Sequence, residues 1–549
     1  MKKFVPLLVL LTIVCPQVFG QSFVSINEDK VSRALNYLKS QYVDSLDVNA
    51  ISDSLMFEIM SQLDPHSIFI PKEKVQATHE PLDGEFEGVG IEFAILSDTL
   101  TVQSVIGGGP AEASGLRPGD KIVAIDGESV AGIGLTNDDV RARLRGPKGS
   151  QVAVTVHRGD IVLDFMIRRD KIPLESIDAA YEAEPGVIYI KLGRFAQNSM
   201  REFGRALFDL AEHRPKGIII DLRGNGGGYM HVALALSDQF LEKDQVIVSM
   251  EGRRIHDREV ATGKGVYQTG PVVVIVDENS ASASEIFAGA MQDWDRGVIV
   301  GRRTFGKGLV QSEYHLPDGS QMRLTIARYH TPSGRVVQTP YEMGHKEAYY
   351  RTAGERYARG ESFSRDSIVL PDSLQFKTLR LGRTVYGGGG IVPDVFVPYY
   401  TTGHRPFLIR VIGTGALTDY ANEYIDKHRD ALAAESFKQF EEKYALLSAA
   451  AFDGLIAYAA EKELVPESDE ELDACRAILG TRLKALLARS VLGTNGYWQV
   501  INAEEDPEFQ KALEVVQGDS IYYESIVAHH VHSHGENNAK ILAVVYTPA

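Results

Sequence analysis

Apolar positions run through the chain in several different rhythms. Over residues 21–80 they recur at helical spacing, through Val31, Leu35, Leu38, Ile51, Leu55, Ile59 and Leu63, which predicts amphipathic helices. Over 84–170 the rhythm becomes alternating. Strands are predicted at Thr101–Ile106, Lys121–Ile125 and Val152–His157, with a short helix at Asp138–Leu144. From 172 to 400 short apolar runs alternate with helical patterns: strands at Val187–Leu192 and Gly217–Leu222, helices at Ser199–Glu212 and His231–Leu241. The densest succession lies between Pro271 and Gln311. A β-branched run at Val272–Val276 leads through small polar residues into a helix at Glu285–Trp294, and a second run at Gly297–Gly301 enters a glycine turn holding Lys307. Such alternation is the grammar of an α/β core. Residues 401–549 return to helical patterning rich in Ala, Leu, Glu and Lys, and no internal repeat is found.

Composition narrows the picture. At 549 residues the chain predicts several domains, and its 44% apolar and 24% charged content is that of a globular protein. A formal net charge of −17 argues against nucleic acid as a partner, because phosphate binding needs clustered Lys and Arg. Lys2 and Lys3, the apolar run Phe4–Cys15, and Val18 and Gly20 before Gln21 predict a signal peptide over residues 1–20. Its removal takes the charge to −19 and leaves Cys475 as the one cysteine, so no intrachain disulfide is expected. No later apolar run is long enough to cross a bilayer. Export is therefore expected, with the periplasm favoured over membrane association, the cell surface or secretion.

The chemistry concentrates in Pro271–Gln311. Ser282-Ala283-Ser284-Glu285 is a capping-box sequence. A serine at a helix N-cap also sits where unpaired N–H groups and the positive dipole end favour a developing oxyanion. Ser280, Ser282 and Ser284 are all candidate nucleophiles, and spacing does not choose among them. Lys307 is a candidate base if burial depresses its pKa, and Phe305, Leu309 and Val310 supply apolar neighbours. On a regular strand, positions 307, 309 and 311 share a face, so Gln311 is placed to orient the amine. A phosphate-loop reading of Gly301, Gly306 and Lys307 fails, because Gly308 stands where Ser or Thr must bind magnesium and a strand pattern follows. DLRGNGGG at Asp221–Gly228 fails a dinucleotide spacing at Tyr229. Its glycines instead suit close approach of backbone N–H groups to a reacting oxygen. Asp64 and His66, in LDPHS at Leu63–Ser67, read as a capped turn more readily than as catalytic groups. His529, His530, His532 and His534 lack the partners of a convincing metal site, and no cofactor or metal is expected.

Gly88-Val89-Gly90-Ile91 opens a strand, where glycines let successive N–H groups converge on an anion. GVGIEF, GPAEASGLRPGDKIVAIDG and VRARLRGPKGSQVAVTVHR together resemble a PDZ domain of the bacterial protease type. This resemblance implies a groove for a polypeptide C-terminus, with its carboxylate on the backbone of Val89, Gly90 and Ile91. With DLRGNGGG, ENSASASEIFAGAMQDWDRGVIVGRRTFGKGLVQ, LDPHS, HTPSGR at His330–Arg335 and GIVPD at Gly390–Asp394, the chain resembles the C-terminal processing (tail-specific) serine peptidases. The resemblance implies Ser282 as nucleophile, Lys307 as base, Gln311 as its support, and the N–H groups of Ala283 and Gly227 as oxyanion donors. It implies an arginine sensor in the PDZ domain, for which Arg158 is the candidate and Arg141 the alternative. The implied architecture is a multidomain α/β protein whose core, residues 172–400, resembles a crotonase-like ββα spiral. A helical region (21–80) and the PDZ domain (84–170) precede it, and a helical domain (401–549) follows. The expected activity is endopeptidase cleavage of polypeptides near their C-termini, gated by the PDZ domain, with a homo-oligomer or an adaptor as further partner. The competing expectation is a catalytically silent PDZ scaffold.

Overall fold

In this computed structural model, residues 26–96, 98–210, 215–399 and 405–518 are described. The leader at 1–20 and the histidines at 529–534 lie outside them. The core is built on a six-stranded sheet in the order Ile177–Glu184, Val187–Leu192, Gly217–Asp221, Val272–Val276, Val298–Gly301 and Val395–Phe396. The first pair is antiparallel and every later pair is parallel. Parallel strands buried on both faces need continuous apolar sequence rather than alternation, and the runs Gly217–Asp221 and Val272–Val276 are buried throughout.

Alternate residues of those runs serve opposite faces. Ile218, Ile220, Val272 and Val274 meet Phe203, Val232, Ile286 and Phe287. These come from the helices Ser199–Asp209, Met230–Asp238 and Ala283–Asp293, so successive helices return to one side of the sheet, as the expected spiral requires. Ile219, Val273, Ile275 and Val300 face the other way, onto Phe509, Ala512, Val515 and Val516 of the helix Pro507–Gln517. A second sheet runs Ile68–Ile70, Gln321–His330, Val246–Glu251 and His256–Val260, with Leu309–His315 also paired to Gln321–His330. Its Met250, Ala327 and Tyr329 join the same apolar cluster as Ile286 and Phe287 of the serine-bearing helix.

The amino-terminal region is not wholly helical. After the helices Ile26–Gln41 and Val48–Ser61, the apolar Ile68-Phe69-Ile70 pairs with Gln321–Arg323 as an edge strand of the second sheet. The LDPHS segment is a capped turn. The Asp64 carboxylate accepts from the N–H groups of His66 and Ser67, each at 3.0 Å, and from the hydroxyls of Ser67 and Thr325. The later landmarks are structural too. Arg335, fully buried, pairs with Asp293 at 2.7 Å near the C-terminal end of the serine-bearing helix, while Asp394 accepts from Gln292 Nε2 and Ile299 N–H.

A five-strand path runs from Ile91–Leu96 through Thr99–Val105, Lys121–Ile125 and Gln151–Arg158 to Ile161–Arg168, around its own core. It stands on a two-stranded ribbon in which Glu85–Gly88 pairs with Asp170–Pro173. Ile91–Leu96 is an edge of that sheet, leaving one side open for an added strand. The helix Asn137–Leu144 begins on a full capping box between Thr136 and Asp139. At the other end, Pro406–Gly413, Ala416–Leu432, Phe437–Glu461 and Asp469–Glu504 pack as a separate helical core. Asp469–Glu504 is interrupted at Gly493, and its last turns rest on the edge strand, where Asn495 Oδ1 accepts the Ala180 N–H and Asn502 donates to Tyr181 Oη.

Candidate active site

The three candidate serines have different surroundings. Ser280 is buried and its hydroxyl donates to Leu222 O at 2.8 Å. Ser284 is buried and its hydroxyl donates to Asn225 O at 2.9 Å. Both therefore fasten the strand-to-helix turn to the glycine loop. Ser282 is half-buried, and among the described residues its hydroxyl donates to no acceptor, its side chain facing the Glu285 N–H in the capping box. Its backbone lies at φ 56°, ψ −112°, a conformation that costs a side-chain-bearing residue about 1–3 kcal/mol and recurs at functional sites. A strained strand-to-helix turn of this kind is how a nucleophile elbow lifts its serine into the open. The expected capping box is present chiefly through its acid. Glu285 Oε2 accepts the Ser282 N–H at 2.9 Å, whereas the Ser282 side chain turns toward the helix without a hydrogen bond of good geometry.

Glu285 also reaches the lysine loop. Fully buried, it accepts from Thr304 Oγ1 at 2.5 Å and from the N–H groups of Gly306 and Lys307, each at 2.8 Å. Burial raises its pKa, and these donors oppose the rise. Tyr329 does the same for the carbonyls. Its buried hydroxyl lies 2.6 Å from Lys307 O and 3.1 Å from Ser282 O. The backbones of Ser282 and Lys307 thus share one carboxylate oxygen on their N–H side and one phenol on their C=O side. Glu285 has a sequence signal, as the third residue of the capping box. Tyr329 has none, since only the second sheet brings it there.

Lys307 keeps part of its surface exposed, yet its surroundings lower its pKa. Burial is the largest cause and the Arg323 guanidinium adds to it, while Glu285 and Asp64 pull the other way. The capped turn at 64–67 closes this side. His66, held to a pKa of about 4 by burial first and by Lys307 next, lies 3.0 Å from Tyr349 Oη. Gln311 donates to His66 O at 2.7 Å. Through this bond Gln311 secures the turn at 64–67 beside Lys307. Lys307 precedes the strand Leu309–His315, whose register with Gln321–His330 shifts beside Val310 and Gln311, where Ile326 of the partner strand is the extra residue.

Among the described residues no acceptor takes the Ala283 N–H. The Gly227 N–H donates to Asn225 Oδ1 at 2.8 Å, because the buried Asn225 amide, anchored through Nδ2 to Leu192 O, turns its oxygen back into the loop. Gly227 nonetheless packs directly on the serine turn. At φ 103°, a Cβ there would fall 2.9 Å from Ser282 Cβ and 3.0 Å from Ala283 N, so only glycine fits.

In the PDZ-like unit, Val89 is buried, Gly90 has φ 81°, and Val89 O and Gly90 O accept from the N–H groups of Ala111 and Ile106. That arrangement fixes the loop at the open edge strand. Arg158 does not leave this unit. It grips Asp120 through Nε and Nη2 at 2.7 and 2.8 Å and donates to Gly115 O. Arg141 pairs with Asp138 on its own helix. The arginine that reaches outward is Arg145, which pairs with Glu80 of the helix Lys72–Asp83. The sequence offered no reason to choose it.

Comparison with known proteins agrees with this layout. Residues 186–342 match peptidase family S41, 101–158 match a PDZ domain, and 407–493 match a family of unknown function (DUF8443). The carboxy-terminal processing protease CtpB of Bacillus subtilis (strain 168) is 34% identical over 314 residues, 56% of this chain and 65% of that protein. A carboxy-terminal-processing protease of Bartonella bacilliformis is 34% identical over 336 residues, 58% of this chain and 76% of that protein. A solved photosystem II D1 C-terminal processing protease aligns with 67% of this chain and 86% of its own, at 26% identity and a TM-score of 0.35. With that identity spread over three quarters of the Bartonella relative, and the S41 and PDZ matches falling on the two units described above, the chain belongs to the carboxy-terminal processing proteases of peptidase family S41.

Proposed function

We propose that this chain is an exported serine endopeptidase that cuts polypeptides near their C-termini, with Ser282 as nucleophile and Lys307 as general base. The observation that carries the reading is the shared clamp of Glu285 and Tyr329 on the backbones of these two residues. It ties the backbone of a strained serine to that of a lysine whose pKa is lowered by burial. Neutral Lys307 takes the Ser282 proton as Oγ attacks the scissile carbonyl. The Ala283 N–H faces the resulting oxyanion, and the Gly227 N–H joins it once released from Asn225 Oδ1. Protonated Lys307 then gives its proton to the leaving amine. Water, deprotonated by the same lysine, cleaves the ester and restores Ser282.

The PDZ domain receives the substrate's free C-terminus at Val89–Ile91 and the open edge strand Ile91–Leu96. Gating passes toward the core through Arg145 and Glu80 rather than through Arg158. The leader-like residues 1–20 support export, with the periplasm as destination, and among the described residues no helix is long and apolar enough to cross a membrane.

The test incubates casein or a tailed peptide with the wild-type chain, Ser282→Ala, Ser284→Ala and Lys307→Ala. Loss of about 10⁴-fold or more is expected for Ser282→Ala and Lys307→Ala, with Ser284→Ala retaining turnover. Cleavage that survives both dyad substitutions refutes the mechanism. Loss confined to a folded Ser284→Ala protein refutes the choice of serine.

A further inference from the structure

The turn that starts the helix Pro507–Gln517 lies beyond both the S41 match and the match to the family of unknown function. It nevertheless reaches the loops of the site. Asp506 caps the helix by accepting the Phe509 N–H at 2.9 Å, and its two oxygens also take Arg223 Nη1 and Nη2 at 2.8 and 2.6 Å. Glu508 accepts from Arg223 Nη1 at 3.4 Å and pairs with Arg302. Asp506, Glu508 and Arg302 are each less than a tenth exposed.

The two arginines sit where the two loops of the site begin. Arg223 opens the glycine loop. Its side chain is shared with Asp221, its carbonyl accepts from Lys191 Nζ at 3.1 Å, and the next N–H, from Gly224, donates to Asp277. Arg302 follows the strand Val298–Gly301 and starts the segment that leads to Lys307. Its Nε donates at 2.7 Å to Glu278, in the serine turn itself. Three segments, each from a different part of the core, are thus laced together by acids from one turn of the C-terminal region. Because the arginines are largely enclosed, removing an acid leaves a cation one carboxylate short, with Arg223 still on Asp221 and Arg302 still on Glu278, and cuts the tie between its loop and the C-terminal turn.

We infer that Asp506 and Glu508 are positioning residues for the peptidase reaction, fixing the glycine loop through Arg223 and the lysine loop through Arg302. The C-terminal helical region is on this view a working part of the peptidase site. The inference rests on the assignment of Ser282 and Lys307, and it takes a test whose structural readout does not depend on turnover.

The full-length variants are Asp506→Asn, Glu508→Gln and the double variant. Asn still caps a helix and both replacements keep the shape. Hydrogen exchange is followed over 222–228, 302–308 and 506–517, alongside kcat and KM on a tailed peptide. Faster exchange in the glycine and lysine loops is expected, with kcat lowered about 10- to 100-fold and KM within about twofold. Unchanged exchange in both loops overturns the inference, whatever the rate. So does faster exchange with kcat intact, or a loss of kcat that only follows the unfolded fraction seen by circular dichroism. If Asp506→Asn fails to fold, Glu508→Gln alone decides, because it leaves the Arg223–Asp506 pair in place. A wild-type chain that cleaves nothing would refute the catalytic assignment, and the exchange data would still decide whether the acids hold the loops.

Discussion

Tyr329 concentrates the residue-scale argument in one hydroxyl. Burial lifts its pKa well above the usual phenol range, so it stays a donor, and it lies within reach of the carbonyls of both Ser282 and Lys307. Tyr329→Phe removes that donor without opening a cavity and leaves two carbonyls short of a partner, at about 1–3 kcal/mol. A fall in kcat of about tenfold or more, with KM nearly unchanged, is expected, and unchanged kcat in a folded protein would show that Glu285 suffices. The lysine supplies a pH argument. As the proposed base, Lys307 must be neutral to act, so kcat/KM should rise with pH through its pKa, which lies below that of an exposed lysine because of burial and Arg323. Arg323→Gln removes a like charge, raises that pKa and should move the ascending limb to higher pH. A limb that stays in place, or moves down, would exclude Lys307 as the group observed.

Among elements, the ribbon under the PDZ domain makes its role separable. Gly88 and Asp170 are paired at the ribbon's mouth, so residues 89–169 are removed most cleanly by joining those two through a short turn. If the domain gates the site, this excision changes the rate on tailed peptides and the preference for free C-termini. Identical rate and preference would leave the domain no gating role. The helices and strands were largely legible in the sequence because period is a local property. The serine-bearing helix spans Ala283–Asp293, close to the expected Glu285–Trp294. What failed was what depends on pairing. The bond from Gln311 to His66 O joins residues far apart in sequence, and Ile68–Ile70 becomes a strand only because Gln321–Arg323 lies beside it. The serine was resolved in sequence by family likeness alone. In the fold, the hydroxyls of Ser280 and Ser284 are spent on the glycine loop, a distinction no spacing carries.

For the molecule as a whole, the C-terminal helices were legible as helices, but the docking of Pro507–Gln517 under the sheet was not. Phe509, Ala512, Val515 and Val516 look like the apolar stripe of any surface helix until Ile219, Val273 and Val300 supply its partner face. The same holds for Arg145, which is one of several basic residues in its segment until the fold sets it against Glu80.

The position of Asp506 and Glu508 along the chain has a consequence for how the enzyme comes into being. A ribosome or an export channel delivers Ser282 and Lys307 well before it delivers these acids, and the apolar face of the central sheet waits equally long for Phe509 and Val516. Contacts so far apart in sequence form late. On the proposed mechanism, a nascent chain therefore carries both Ser282 and Lys307 before the anchors of their loops arrive. If these acids hold the loops as inferred, full proteolytic competence coincides with the docking of the helix Pro507–Gln517, which delays the danger of a peptidase acting on its own unfinished surroundings.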